Sequence, residues 1–360
     1  MRHPDFRAAM IGLLLALLVL PVGEFTAFAR AQQPSKDKQE PQKPPPQAPE
    51  VAISVDVPVV NVDVVVTDNR GTYVSNLKKE NFRILEDGVP QTITNFAPTE
   101  APITIVVLIE FSKLGYEYFA YKAVNGAYLF LNQLKKDDWV ALMSFDLRPR
   151  IEVDFTRNKA QVQQHLSRMY FPGFSESNVF DAVVDTLDRL EDVKGKKAIL
   201  LLASGIDTFS KKTLDDTLKR LKTTDVTIYT VGVARDFWEY VDAQGGFSGS
   251  WGAAARMTYL QAENQLAAFA RATGGRSWAP RFDGEMPGIF QEVAASLRSQ
   301  YSIGYSPSNQ ARDGKFRKIK VQLVADDGTP LVFKDQNQKN VKVVVYAREG
   351  YQAPKGKVGD

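Results

Sequence analysis

The chain has 360 residues, room for two domains at roughly 100 to 200 residues each, and its 44% hydrophobic content can fill a packed core. Forty-five basic against 42 acidic residues leave a formal charge of +3, without the concentrated basic face a dedicated nucleic-acid binder needs. Cysteine is absent, which excludes disulfides, thiolate metal sites and a cysteine nucleophile, and only His3 and His165 could supply imidazole chemistry.

Arg2 and Arg7 precede an apolar run from Met10 to Val22, and small residues follow at Ala27, Ala29 and Ala31. That order reads as a secretory signal over residues 1–31, cleaved near Ala29 or Ala31. The run is shorter than the ~20 residues a spanning helix needs, and Pro21 interrupts its end, so no stable membrane span is expected after cleavage. The expected location is therefore outside the cytoplasm, periplasmic or extracellular. Residues 32–50 are rich in Gln, Lys and Pro and lack the apolar side chains that offset ordering entropy, so they read as a disordered tether.

Residues 51–98 alternate as half-buried strands do. Val60, Val62, Val64 and Val66 share one face, and Asp68-Asn69-Arg70-Gly71 and Glu86-Asp87-Gly88 supply turns. From Ile103 the texture changes. A continuous apolar run to Ile109 is followed by a helix over Tyr118–Leu134, a strand over Trp139–Phe145, a short edge strand over Arg150–Phe155, and helices over Asn158–Met169 and Ser177–Leu190, the latter capped by Ser177 or Asn178. Ala198–Ala203 and Val226–Val233 read as further strands, and Leu214–Leu221, Tyr259–Thr273 and Pro287–Ser299 as helices. Strands apolar on both faces and separated by helices predict an α/β domain, doubly wound around a mainly parallel sheet, over residues 101–300. Alternating strands return at Tyr301–Tyr305, Phe316–Val324 and Val341–Ala347. They are too few for a separate domain, so residues 301–352 are expected to complete the sandwich begun by 51–98, with a disordered tail over 353–360.

Ligands of open parallel sheets bind beyond the carboxyl ends of the strands. Those ends read Glu110-Phe111-Ser112-Lys113-Leu114 and Ala203-Ser204-Gly205-Ile206-Asp207, and Ser177 opens a helix beside them. Asp207 and Asp181 suit loop shaping and helix-terminus contacts, while Asp146 and Asp154 close strands as ordinary turn residues do. Gly173-Phe174-Ser175-Glu176-Ser177 and Gly246-Phe247-Ser248-Gly249-Ser250 begin like nucleophile elbows but lack the last glycine, and no histidine follows either. Gly195-Lys196-Lys197 lacks the rest of a phosphate-binding loop. No catalytic or cofactor-binding residues are expected. The segment Asp236–Met257, rich in Gly and aromatic residues, reads as a long loop; Phe237 and Trp238 either pack on the core or serve as interface anchors.

The strand-end motifs resemble the von Willebrand factor A family, and more narrowly its VWFA-related acidobacterial type, from about Val57 to Tyr351. Members carry an Asp-x-Ser-x-Ser motif, a Thr and a further Asp that form a metal-ion-dependent adhesion site. Glu110-Phe111-Ser112-Lys113-Leu114 stands at the first motif, Ser177 at the Thr, and Ser204 at the Asp. The resemblance implies a VWA-like α/β domain inserted in the sandwich. The site is expected to be degenerate, because Leu114 removes a hydroxyl and Ser204 a carboxylate, and a hard cation needs about six oxygens. Lys113 either sits near Glu110 or Asp207 in place of the metal or points into solvent. The expected function is a non-catalytic, exported interaction or adhesion module without metal, binding an unknown protein partner through Lys113, Trp238, Phe247 and Trp251. The alternative is a magnesium-dependent adhesion or regulatory domain, with Glu110, Ser112, Ser177 and Asp207 as ligands.

Overall fold

The computed structural model describes residues 59–98, 102–114, 117–246, 249–334 and 338–356. The expected signal and tether, residues 1–50, lie outside them.

Six strands form the central sheet. In chain order they are β5 (Ile103–Glu110), β6 (Trp139–Phe145), β7 (Pro149–Thr156), β8 (Lys196–Ala203), β9 (Thr227–Gly232) and β10 (Ser277–Trp278), arranged β10-β9-β8-β5-β6-β7. All pairs are parallel except β6 with the edge strand β7, which a tight turn makes antiparallel. The period of two in the β5 run divides its side chains between two cores. Ile103, Ile105, Val107 and Ile109 join one, with helices α1 (Tyr118–Leu131), α2 (Lys159–Leu166) and α7 (Met286–Arg298). Val106 and Leu108 join the other, with α3 (Val179–Leu190), α4 (Leu214–Leu221) and α6 (Gly249–Thr273). Helices cover both faces, which is why the strand is apolar from Ile105 to Ile109, with half-buried Thr104 the one polar residue before Glu110.

The flanking strands are β1 (Val60–Asp68), β2 (Phe82–Glu86), β3 (Val89–Gln91), β4 (Ile93–Pro98), β11 (Gln300–Tyr305), β12 (Phe316–Leu323), β13 (Phe333–Lys334), β14 (Asn340–Val341), β15 (Val343–Tyr346) and β16 (Gly350–Gln352). They form two four-stranded sheets, β15-β1-β11-β4 and β16-β12-β2-β3, with β13 and β14 as a small separate pair. Val62, Val64 and Val66 of β1 meet Ile84, Ile303, Tyr305 and Ile319 in one core. The interlocked sandwich is thus formed: β11 pairs antiparallel with both β1 and β4, so strands from the two ends of the chain alternate in one sheet. The chain leaves β4 for the α/β part and returns from α7 directly into β11. Described residues all fall in one compact unit, 56–360.

Two expectations need correction. Residues 236–257 are not a long loop: α5 (Arg235–Ala243) and the first turns of α6 occupy most of the segment. The glycines that suggested a loop serve the turn between these helices, where Gly245 and Gly249 have positive φ. The tail does not begin at 353 either. Ala353 N–H donates to Lys315 O at 2.9 Å, Lys355 bridges Asp313, and Gly356 N–H donates to Arg312 O at 2.8 Å; alternation is too short there for a sequence pattern to show the pairing.

Candidate functional site

Parallel β5 and β8 are hydrogen-bonded neighbours, so the residues that end them must share one place. Glu110 is fully buried there. Its Oε1 accepts from Ser112 Oγ at 3.0 Å and its Oε2 accepts from the Ser204 backbone N–H at 2.7 Å. Burial pushes its carboxyl pKa up, against the lowering effect of these donors. Ser112 Oγ in turn accepts from Leu114 N–H at 3.2 Å and Ser204 Oγ accepts from Ile206 N–H at 3.2 Å, so each serine also closes its own turn. Ser177 faces the same carboxylate, but its buried hydroxyl makes no hydrogen bond of ordinary geometry. After Ser204 the chain needs Gly205: its φ is +81°, and a Cβ would stand 2.5 Å from Ala262 O.

Asp207 is elsewhere. Its Oδ1 accepts from Phe180 N–H at 3.3 Å and from Ser210 Oγ at 2.5 Å, and its Oδ2 from Ser210 N–H at 3.3 Å. Asp181 accepts from the N–H groups of Lys211 and Lys212 at 3.0 and 2.9 Å. These acids bind the β8–α4 loop to the start of α3. Neither Ser177 nor Asn178 caps that helix as expected. Asn178 instead donates through Nδ2 to Leu147 O at 2.8 Å, and the free N–H groups of α3 are met by Asp207 and by Ser210 Oγ across the loop. Thr213, with Asp216 as its reciprocal partner, caps α4.

The donor set does not suit a hard divalent cation. One carboxylate faces three serines, both its oxygens already accept hydrogen bonds, and it has no exposed surface from which a hydrated ion could be held. Asp207, the only other acid expected as a ligand, spends its oxygens on α3 and Ser210. Among the described residues no group of three or more His, Asp or Glu is placed to hold a metal.

Of the expected partner-binding residues, Lys113 is exposed and ion-paired to neither Glu110 nor Asp207. Trp238 is half-buried, packed between Phe237 and Tyr259 with ring centroids 5.2 and 6.2 Å away, and belongs to the edge of a core. It is a packing residue rather than an exposed anchor, because the segment that carries it is helical. Phe247 and the side chain of Trp251 lie outside the described residues.

Sequence reasoning missed the more prominent aromatics. Tyr170, Phe171 and Phe174 project from the α2–α3 loop, Phe171 being 81% exposed, and Phe209 projects from the β8–α4 loop. Both loops are tied to the site. Phe174 O accepts from Lys113 N–H at 2.7 Å, and Ser177 O accepts from the N–H groups of Thr208 and Phe209 at 2.8 and 3.3 Å. Beside them, Phe111, Met169, Tyr170, Phe171 and Phe174 line an open groove of about 490 Å³. Its polar wall is the chelated pair Arg150–Asp146, with nitrogen–oxygen distances of 2.6 and 2.9 Å, and His165 Nε2 lies 2.8 Å from Glu152 Oε2. The one histidine described is therefore held by a carboxylate. The available signal was the run Met169-Tyr170-Phe171-Pro172-Gly173-Phe174, apolar but interrupted by a Pro-Gly pair that favours a turn.

An open parallel sheet with a polar constellation at its strand ends defines the class of fold. Residues 104–244 match the von Willebrand factor type A domain family, and this part of the chain is a VWA-type domain. Solved structures similar to the chain include the conserved hypothetical protein BatB from Bacteroides thetaiotaomicron, at 11% identity over 55% of this chain and 100% of that one, with a TM-score of 0.39. A von Willebrand factor type A protein from Catenulispora acidiphila is similar at 12% identity over 72% and 68%, with a TM-score of 0.42. The vWF domain of the type V pili tip protein Mfa5 from Porphyromonas gingivalis is similar at 12% identity over 55% and 96%, with a TM-score of 0.40. No curated protein matches the sequence. Among the described residues no helix is long and apolar enough to cross a membrane.

Proposed function

We propose that the chain is an exported, non-catalytic interaction module whose VWA-type domain holds a protein partner on its strand-end loops without a metal. The observation that carries this reading is the cluster of exposed aromatics on loops hydrogen-bonded to the Glu110 site. Large apolar side chains cost free energy in water, and a contiguous group of them beside a groove marks a surface that is covered in use. The absence of catalysis is supported by the commitment of each polar group: Ser112, Ser204 and Glu110 satisfy one another and their turns, and His165 meets Glu152 rather than a serine. Export is supported by the order of charged, apolar and small residues over 1–31. The test is photo-crosslinking of the mature chain in its host with a benzophenone side chain at position 171 or, as the control, at exposed position 332 in the sandwich. A discrete adduct from 171 and none from 332 is expected; adducts from 332 alone would place the interface elsewhere.

The magnesium-dependent reading draws on one observation, the unpartnered Ser177 hydroxyl beside Glu110. It requires Glu110 to exchange its serine contacts for a cation, and it predicts a higher melting temperature with magnesium that chelation reverses.

A further inference from the structure

We draw no further inference here: the strongest candidate, the open aromatic groove lined by β7, α2 and the α2–α3 loop, has a wall in which Arg150 and Arg168 stand against Asp146 and Glu152, and nothing in the structure shows what covers it.

Discussion

Glu110 Oε2 lies 2.7 Å from the Ser204 backbone nitrogen, so the ends of two adjacent parallel strands are joined through a carboxylate that no solvent reaches. The bond uses the oxygen that an ion would need. It also places the Ser204 side chain beside Glu110, with consequences for any attempt to build a metal site there.

Replacing Ser204→Asp puts a second carboxylate beside a buried one. In the absence of cations the variant should lose roughly 2–4 kcal/mol of stability, the scale of an uncompensated buried charge. Adding Leu114→Ser and Lys113→Gly returns an oxygen and removes a cation, so calorimetry of this triple variant should show a melting transition that rises with magnesium and falls with chelator. The unaltered chain should melt at the same temperature in both.

Asp207→Ala removes acceptors from Phe180 N–H and from Ser210, and with them the cap of α3. Urea denaturation should show a loss of about 1–2 kcal/mol, the usual cost of a helix N-terminal acceptor. Asp207→Asn keeps one acceptor oxygen and should lose less. If Asp207 served only a ligand, both variants would melt unchanged in metal-free buffer.

Stability should vary with pH through Asp63 and Lys196, which feel each other's charge where β1 approaches the start of β8. Burial raises the Asp63 pKa above 3.8 and lowers that of Lys196 from 10.5 to about 8. A carboxyl raised in the fold contributes stability that is full below pH 3.8 and lost as pH rises through its folded value. A lysine lowered in the fold carries its full cost below about pH 8 and is relieved as pH rises toward 10.5, where the unfolded chain still holds the proton. Unfolding free energy measured in urea should therefore gain a rising contribution between about pH 8 and 10.5 that Lys196→Met abolishes.

Truncation after Gln300 deletes β11, the strand between β1 and β4, along with β12, β15 and β16. The remaining β1 and β4 would present unpaired edges and an open apolar face. Size-exclusion chromatography should find aggregate, and a monomeric fragment with a cooperative melt would refute the interlocked sandwich.

The fold was legible because its strongest signals are long. The apolar runs Ile105–Ile109 of β5 and Ala198–Ala203 of β8 and the alternating valines of β1 are each long enough to exclude the alternatives. Short pairings such as β10, β13 and β16 have only two or three residues and depend on distant partners, so no local pattern marks them. Glycines misled the reading of residues 236–257, since the same residues that loosen a loop also turn a helical hairpin. At the site, the motif placed Glu110, Ser112, Ser177 and Ser204 together, but not Asp207: spacing along one loop does not reveal that its carboxylate turns toward α3. Tyr170, Phe171 and Phe174 were passed over because exposure is a property of the folded surface, and an apolar run by itself resembles core.

Pairing of β11 with β1 and β4 also sets a timetable. During synthesis at roughly 5–20 residues per second, Val60–Asp68 is made roughly 10 to 50 s before Gln300–Tyr305. Throughout that interval the valine face of β1 lacks the strand that will occupy the middle of its sheet. Closing about 200 residues of unstructured chain between Pro98 and Tyr301 has an entropic cost that grows with the logarithm of its length. A folded α/β domain removes most of that cost by holding its own two ends side by side. The last part of the molecule to be made therefore completes the first, and mutations that slow the α/β domain's folding should appear as aggregation through β1, far from the altered residue.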